Sequence, residues 1–122
     1  WATAKNVCPK GWHLPSDDEW QELVDFIATD GYLGQEGTTL KSIGGWVNNG
    51  NGTDNYGFTV LPAGYRDEGG NFLGLNQTAY FWSATDGSYS TAHRRTLSYS
   101  NSIVSWSSFP KMLGHSVRCI KD

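Results

Sequence analysis

The residues best equipped for chemistry are two cysteines, Cys8 and Cys119, three histidines, His13, His93 and His115, and the acidic run Asp17-Asp18-Glu19. Thiols and imidazoles together could hold zinc, but two cysteines alone are too few and no pair of histidines has ligand spacing. Adjacent carboxylates could serve as general acid and base; here a helix-capping role already explains them. His13 lies just before that helix, among residues that pack, and reads as a structural histidine rather than a base. GxSxG, HExxH and phosphate-cradling glycine loops are all missing, so no catalytic residue is assigned. The run Asn48 to Asn55, NNGNGTDN, offers oxygens suited to a hard cation such as calcium. Asp54 is its only carboxylate, which favours a plain surface loop, and no cofactor is expected.

The acidic run sits where a helix should begin. Ser16 is a good N-cap, and Glu19 three residues on completes a capping box. Asp17 and Asp18 place negative charge at the positive end of the helix dipole. Pro15 keeps Leu14 extended on the way in. Trp20, Leu23, Val24 and Ile27 form one apolar stripe, so the spacing predicts a helix over Asp17 to Thr29, ended by Gly31. Thr39 to Ile43 predicts a short second helix before Gly44-Gly45. From Phe58 the pattern turns to strands: Phe58 to Leu61, Tyr65-Arg66 with a turn over Asp67 to Asn71, Ala79 to Ser83, Ala92 to Tyr99, Ile103 to Trp106 and Ser116 to Ile120. Helices first and short strands later indicate an α+β domain with an antiparallel sheet.

The length of 122 residues allows one domain spanning residues 1–122. Aromatic residues make up 14% and charged residues only 17%, so large rings must be buried or held at a recognition surface. A net charge of -3 supplies no basic face for nucleic acid, and no apolar run is long enough for membrane insertion. Beginning at Trp1 without a leader, the chain reads as a trimmed or mature fragment. Cys8 and Cys119 are either two buried thiols or a bridge closing a loop of about 110 residues, which would contribute roughly 4–5 kcal/mol. Abundant Trp, Ser, Asn and Gly with scarce Lys suit an exported domain and favour the bridge.

CPKGWHLPSDDEW, LKS, GFTVLPAGYR (Gly57 to Arg66), AYFWSAT and GHSVRCIKD (Gly114 to Asp122) follow one another along the chain. Together they closely resemble the Fibrobacter succinogenes major paralogous domain, a module of exported bacterial proteins and lipoproteins. The resemblance covers nearly the whole chain. It implies a C-type-lectin-like fold, with one main helix and a short second helix packed on a twisted antiparallel sheet. The chain ends would meet on one sheet, in agreement with a Cys8–Cys119 disulfide, and a long irregular region would carry the ligand face. Family members usually carry more residues ahead of Trp1, so the resemblance implies that one or two N-terminal strands are missing here. LPSDDEW is also similar to the helix start of formylglycine-generating enzymes. Those need a reactive cysteine pair, whereas the cysteines here stand in the CPKGW and SVRC motifs, which suit a structural bridge. The calcium-binding triplets of sugar-binding C-type lectins are missing too, since Trp106 is followed by Ser107 and Ser108.

The last third interleaves framework residues (Phe81, Trp82, Ala92, Leu97, Val104, Lys111, Gly114, Val117 and Cys119) with GSYST, His93-Arg94-Arg95, SYSNS, SWSSF and Met112-Leu113. Stiff aromatics among adaptable Ser, Gly and Asn is the composition that antibody paratopes use. Solvated loops and outward strand faces would account for the polar positions. Trp106, Phe109, Met112 and Leu113 crowd one segment that otherwise reads as loop, which favours a contact surface. The expected ligand face lies in residues 86–115 and contains Tyr89, His93, Arg95, Tyr99, Trp106, Phe109 and Met112. The alternation of framework and Ser/Tyr/Asn/His/Arg positions resembles retroelement-diversified variable proteins, which also use lectin-like folds. The expectation is a non-enzymatic ligand-binding or display domain of an exported bacterial or phage protein. Its partner would be a protein or carbohydrate ligand on a cell surface. The alternative is a structural or adhesion module of a surface lipoprotein without a ligand site of its own.

Overall fold

A computed structural model describes all 122 residues. Its first long element is helix α1, Asp17–Ile27, and its start follows from the sequence. The Glu19 N–H donates to Ser16 Oγ (3.2 Å), while the Ser16 N–H donates to Glu19 Oε2 (2.8 Å). Trp20 and Ile27 on the apolar stripe are buried, and Leu23 and Val24 pack beside them. The helix stops at Ile27, two residues short of the expected Thr29. A wider turn over Ala28–Tyr32 follows, and Gly31 (φ 102°) adopts the left-handed backbone that ends it. Helix α2 covers Glu36–Leu40 instead of Thr39 to Ile43, because Lys41 turns out to bridge Val60. Its N–H groups at Gly37 and Thr38 both donate to the Ser102 carbonyl. A Cβ at Gly37 would lie 2.4 Å from the Ile103 carbonyl oxygen, so only glycine fits that approach.

The strands are β1 (Trp12–His13), β2 (Tyr65–Arg66), β3 (Phe72–Leu73), β4 (Thr78–Asp86), β5 (Thr91–Ser98), β6 (Ser105–Pro110) and β7 (Ile120–Lys121). They form a small α+β domain with antiparallel sheets ordered β4-β5-β6, β2-β3 and β1-β7. The expected strand Phe58 to Leu61 contributes only the Val60 bridge. Thr59 is left-handed (φ 54°), and its N–H and hydroxyl both donate to the Asp54 carboxylate. The expected strand Ser116 to Ile120 likewise shrinks to a Ser116 bridge beside Phe81 plus the start of β7.

The central sheet is covered on both faces. One face carries α1 and a core of Trp20, Ile27, Leu40, Trp46, Val60, Ala79, Phe81, Leu97 and Val104. The other carries Leu14, Trp82 and Ala92, closed over by residues of the two chain ends, including Trp1, Cys8, Leu113 and Val117. Cys8 and Cys119 form a disulfide, and β1 pairs with β7 beside it. His13 is tied into that closure: its Nδ1 contacts Asp122 Oδ1 at 2.7 Å and its Nε2 contacts Glu19 Oε1 at 2.8 Å.

Arg95 on β5 is only 1% exposed and reaches α1. Its Nε donates to Asp17 Oδ1 (2.8 Å), Nη2 to the Asp17 carbonyl (3.0 Å) and Nη1 to Gln21 Oε1 (3.1 Å). Replacing Asp17 by alanine leaves that guanidinium buried without its carboxylate. The expected cost is about 3–5 kcal/mol in urea unfolding, far above an Asp18→Ala control. Replacing both cysteines by serine should lower stability by roughly 4–5 kcal/mol in the same measurement, and reductant should then have no further effect.

Candidate functional site

Strand β5 places successive side chains on opposite faces. His93, Arg95 and Leu97 point to the α1 side; Ala92 and Arg94 point to the other. The register pairs Arg95 with Trp106 and Ala92 with Phe109, so β6 is divided the same way. The seven residues expected to form one ligand face therefore do not share a face. Trp106, 58% exposed, stacks on His93 on the α1 side (ring centroids 5.2 Å, interplanar angle 27°). Arg95 is a correction: it is sealed under α1 by its bonds to Asp17 and Gln21 and presents nothing to a ligand. Tyr99 packs partly buried against the main core, its backbone against Gly50, and so belongs largely to the framework. Tyr89 stands fully exposed at the tip of the β4–β5 hairpin.

Phe109 and Met112, 37% and 64% exposed, lie on the second face, where the sequence did not single out the residues that complete a site. Tyr65, Asp67, Glu68, Tyr80, Arg94, Phe109, Pro110, Met112 and Leu113 line a depression of about 480 Å³. A neighbouring depression of about 750 Å³ shares Pro110 and Met112 and is bounded by Trp1 and Tyr89. The walls are set by fixed elements. Tyr80 and Arg94 project from paired strands β4 and β5, and Phe109 from β6. Tyr65 comes from β2, beside which the Gly114 and Arg66 backbones exchange two hydrogen bonds of 2.8 Å.

Rings cluster around Tyr80 and Arg94 in the wall of this depression. Tyr65 meets Tyr80 edge-on at 5.4 Å, and His115 lies 5.3 Å from Tyr80 and 4.2 Å from Trp82. The Arg94 guanidinium carbon sits 4.1 Å from the Tyr80 ring centre and 3.3 Å from that of Phe109. Its Nε donates to Ser107 Oγ (3.3 Å) and its Nη1 to His115 Nε2 (3.4 Å). His115 Nδ1 donates to the Gly114 carbonyl (3.1 Å), which leaves Nε2 as the acceptor on a neutral ring. Burial first, and then the Arg94 charge, push the His115 pKa down to about 3. This arrangement can bind and orient a ligand. It contains no nucleophile paired with a base, and both cysteines of the chain are taken up in the disulfide.

Oxygens of the Asn48–Asn55 loop have local uses: Asn51 Oδ1 accepts from the Trp46 N–H, and Asp54 holds Thr59. The model of the Fibrobacter succinogenes major domain matches residues 1–121. The chain belongs to that family. Neither a curated protein nor a solved structure matches the chain. The name of the Fibrobacter succinogenes major domain carries no activity.

The neutral His115 ring gives this member of the family a pH signature. Between the ordinary value of 6.5 and about 3, the unfolded chain binds a proton that the folded one does not. Stability from His115 is therefore complete above 6.5 and lost as pH falls toward 3. His13 acts in the opposite direction, because its hydrogen bonds to Asp122 and Glu19 raise its pKa. Its contribution is present below 6.5 and lost as pH rises through the raised value. An NMR titration should find His13 still an imidazolium at pH 6.5 while His115 stays neutral to about pH 4.

Proposed function

We propose that this domain is a non-enzymatic binding or display module of an exported bacterial or phage protein. It captures a protein or carbohydrate ligand at a cell surface through the adjoining depressions around Phe109, Pro110 and Met112. The observation that carries this reading is the exposure of Tyr89, Phe109 and Met112 beside a framework that already buries Trp82, Ala92, Leu97 and Val104. Large apolar groups gathered at one concave region, with polar groups around them, are the usual makings of a recognition surface.

The finer fold assignment is a C-type-lectin-like domain. Supporting it are the helix packed on a central antiparallel sheet, the paired chain ends closed by Cys8–Cys119, and the irregular stretch from Lys41 to Gly64. The disulfide is consistent with an oxidising, extracellular location, and no helix is long and apolar enough to cross a membrane. Retroelement diversification belongs to the same proposal, because exposed Tyr89, Trp106, Phe109 and Met112 could vary without disturbing the buried framework. Genes beside this one that lack a reverse transcriptase and a near-copy template repeat would remove that part. A structural or adhesion module is the second reading, favoured by the covalent closure of the chain ends.

Met112→Ser combined with Tyr89→Ser should weaken capture on glycan and protein arrays by about tenfold or more. Its unfolding free energy should stay within about 0.5 kcal/mol of the parent, since both side chains are exposed. An array without hits for the parent domain would favour the structural module. Tyr99→Ala, in contrast, should cost stability, because that ring packs on the core.

A further inference from the structure

We infer that the Arg94 depression is a receptor for a single carboxylate group, carried on a ligand body that bears N–H or O–H donors. This deepens the binding reading above and rests on it. The deciding observation is a charge that the protein buries without an anionic partner. Arg94 is 7% exposed, yet no carboxylate lies within 4.0 Å of its guanidinium. The other Lys and Arg side chains that are buried or half-buried are provided for. Arg95 has Asp17, Lys111 has Asp86, and the Lys41 ammonium donates to the Ser98 and Asn101 carbonyls. Arg94 has only Ser107 Oγ and the neutral His115 ring, both at long range, so most of its five N–H donors remain unused. Its Nη2 has no protein acceptor, yet it is not among the side-chain atoms sealed from solvent.

An isolated buried charge is costly, and contact with two aromatic rings recovers only about 2 kcal/mol of that cost. A methionine or leucine at position 94 would fill the same space without the penalty. What an arginine adds is a planar fork of donors, already largely desolvated and held against the Tyr80 and Phe109 rings, that matches the two oxygens of a carboxylate. The depression of about 480 Å³ has room for a ligand the size of a monosaccharide or an amino acid, with Tyr65 and Met112 beside it for apolar contact.

The other charged groups on the depression narrow the ligand further. Asp67 and Glu68 line it as well. The Asp67 carboxylate accepts from the Asn71 N–H (2.8 Å) and Nδ2 (2.9 Å), and those bonds hold its pKa below the usual carboxylate range. It therefore remains an anion. Two acids beside one arginine repel a densely charged polyanion but can accept hydrogen bonds from hydroxyl or amino groups. An acidic sugar and the C-terminal residue of a peptide both present one carboxylate next to such donors.

The test is calorimetric and NMR titration of the whole domain with glucuronate, N-acetylneuraminate and N-acetyltryptophan, each beside its uncharged amide or methyl ester. At least one carboxylate should bind about tenfold to a hundredfold more tightly than its neutral partner, weaken with added salt, and shift the Arg94 side-chain resonances. Sugar acids and the amino acid form separate arms, so the pattern of binding identifies the source. Arg94→Met should abolish the preference while keeping or raising the melting temperature. The inference is overturned if no carboxylate outbinds its neutral partner in the parent domain, a comparison that needs no variant to fold. It is also overturned if Arg94→Met retains array capture that the Met112→Ser, Tyr89→Ser double variant loses; in that outcome the binding face stands and only its carboxylate specificity fails. Carboxylates that bind to a domain capturing nothing on the arrays would instead sink the cell-surface reading and leave Arg94 as assigned.

Discussion

The buried contact between Arg95 and the first turn of α1 sets the geometry on which the rest of the domain depends. Apolar packing alone would hold a helix against a sheet but would tolerate rotation and sliding. Three directional bonds, two to Asp17 and one to Gln21, fix which turn of the helix faces which residue of β5. The same turn is anchored a second time, because the Asp17 N–H donates to Thr85 Oγ1 on β4 (2.8 Å). With helix and strands locked, Trp20 meets Phe81 (5.5 Å) and Phe58 (6.1 Å), and the main core closes around them. A buried ion pair adds little net stability compared with a well-packed hydrophobic pair. Its value here lies in positioning.

Consecutive arginines on one strand thus meet opposite fates. Arg95 is consumed by the fold, and its neighbour Arg94 lies among rings on the far side with most of its hydrogen-bonding capacity unspent. The neutral His115 beside Arg94 provides a lone pair but no charge, so it orients the guanidinium without neutralising it. Phe109 and Met112 reach this side from β6 and the segment after it, joining features that lie far apart along the chain. The division between a rigid interior and a decorated exterior therefore runs through single strands and not between separate regions.

Local chemistry was legible in the sequence. Ser16, Glu19 and the Trp20–Ile27 stripe foretold α1 to within two residues of its end, and the cysteine pair foretold the closure of the chain ends. Strands that depend on their own composition, such as β4 and β5, were placed well. Segments whose conformation is imposed from a distance were not. Thr59 is left-handed because Asp54 holds it, and nothing in Phe58 to Leu61 announces that. The sequence makes Arg95 look like a surface residue and gives Arg94 no prominence, for one physical reason. Alternation identifies the buried face of a strand only when the other face is wet. In β5 both Leu97 and Ala92 are buried, so parity cannot say which arginine is enclosed by partners and which borders a depression.

The disulfide joins positions 111 residues apart, and β1 and β7 lie alongside each other just within and beyond it. Tension applied to the two ends of the polypeptide would thus pass from one terminal segment to the other through the sulfur bridge. The central sheet, α1 and the Arg94 depression are enclosed in the covalent loop and would bear almost none of that load. Were this domain strung in a tether between two surfaces, it could be pulled hard and still keep its recognition geometry.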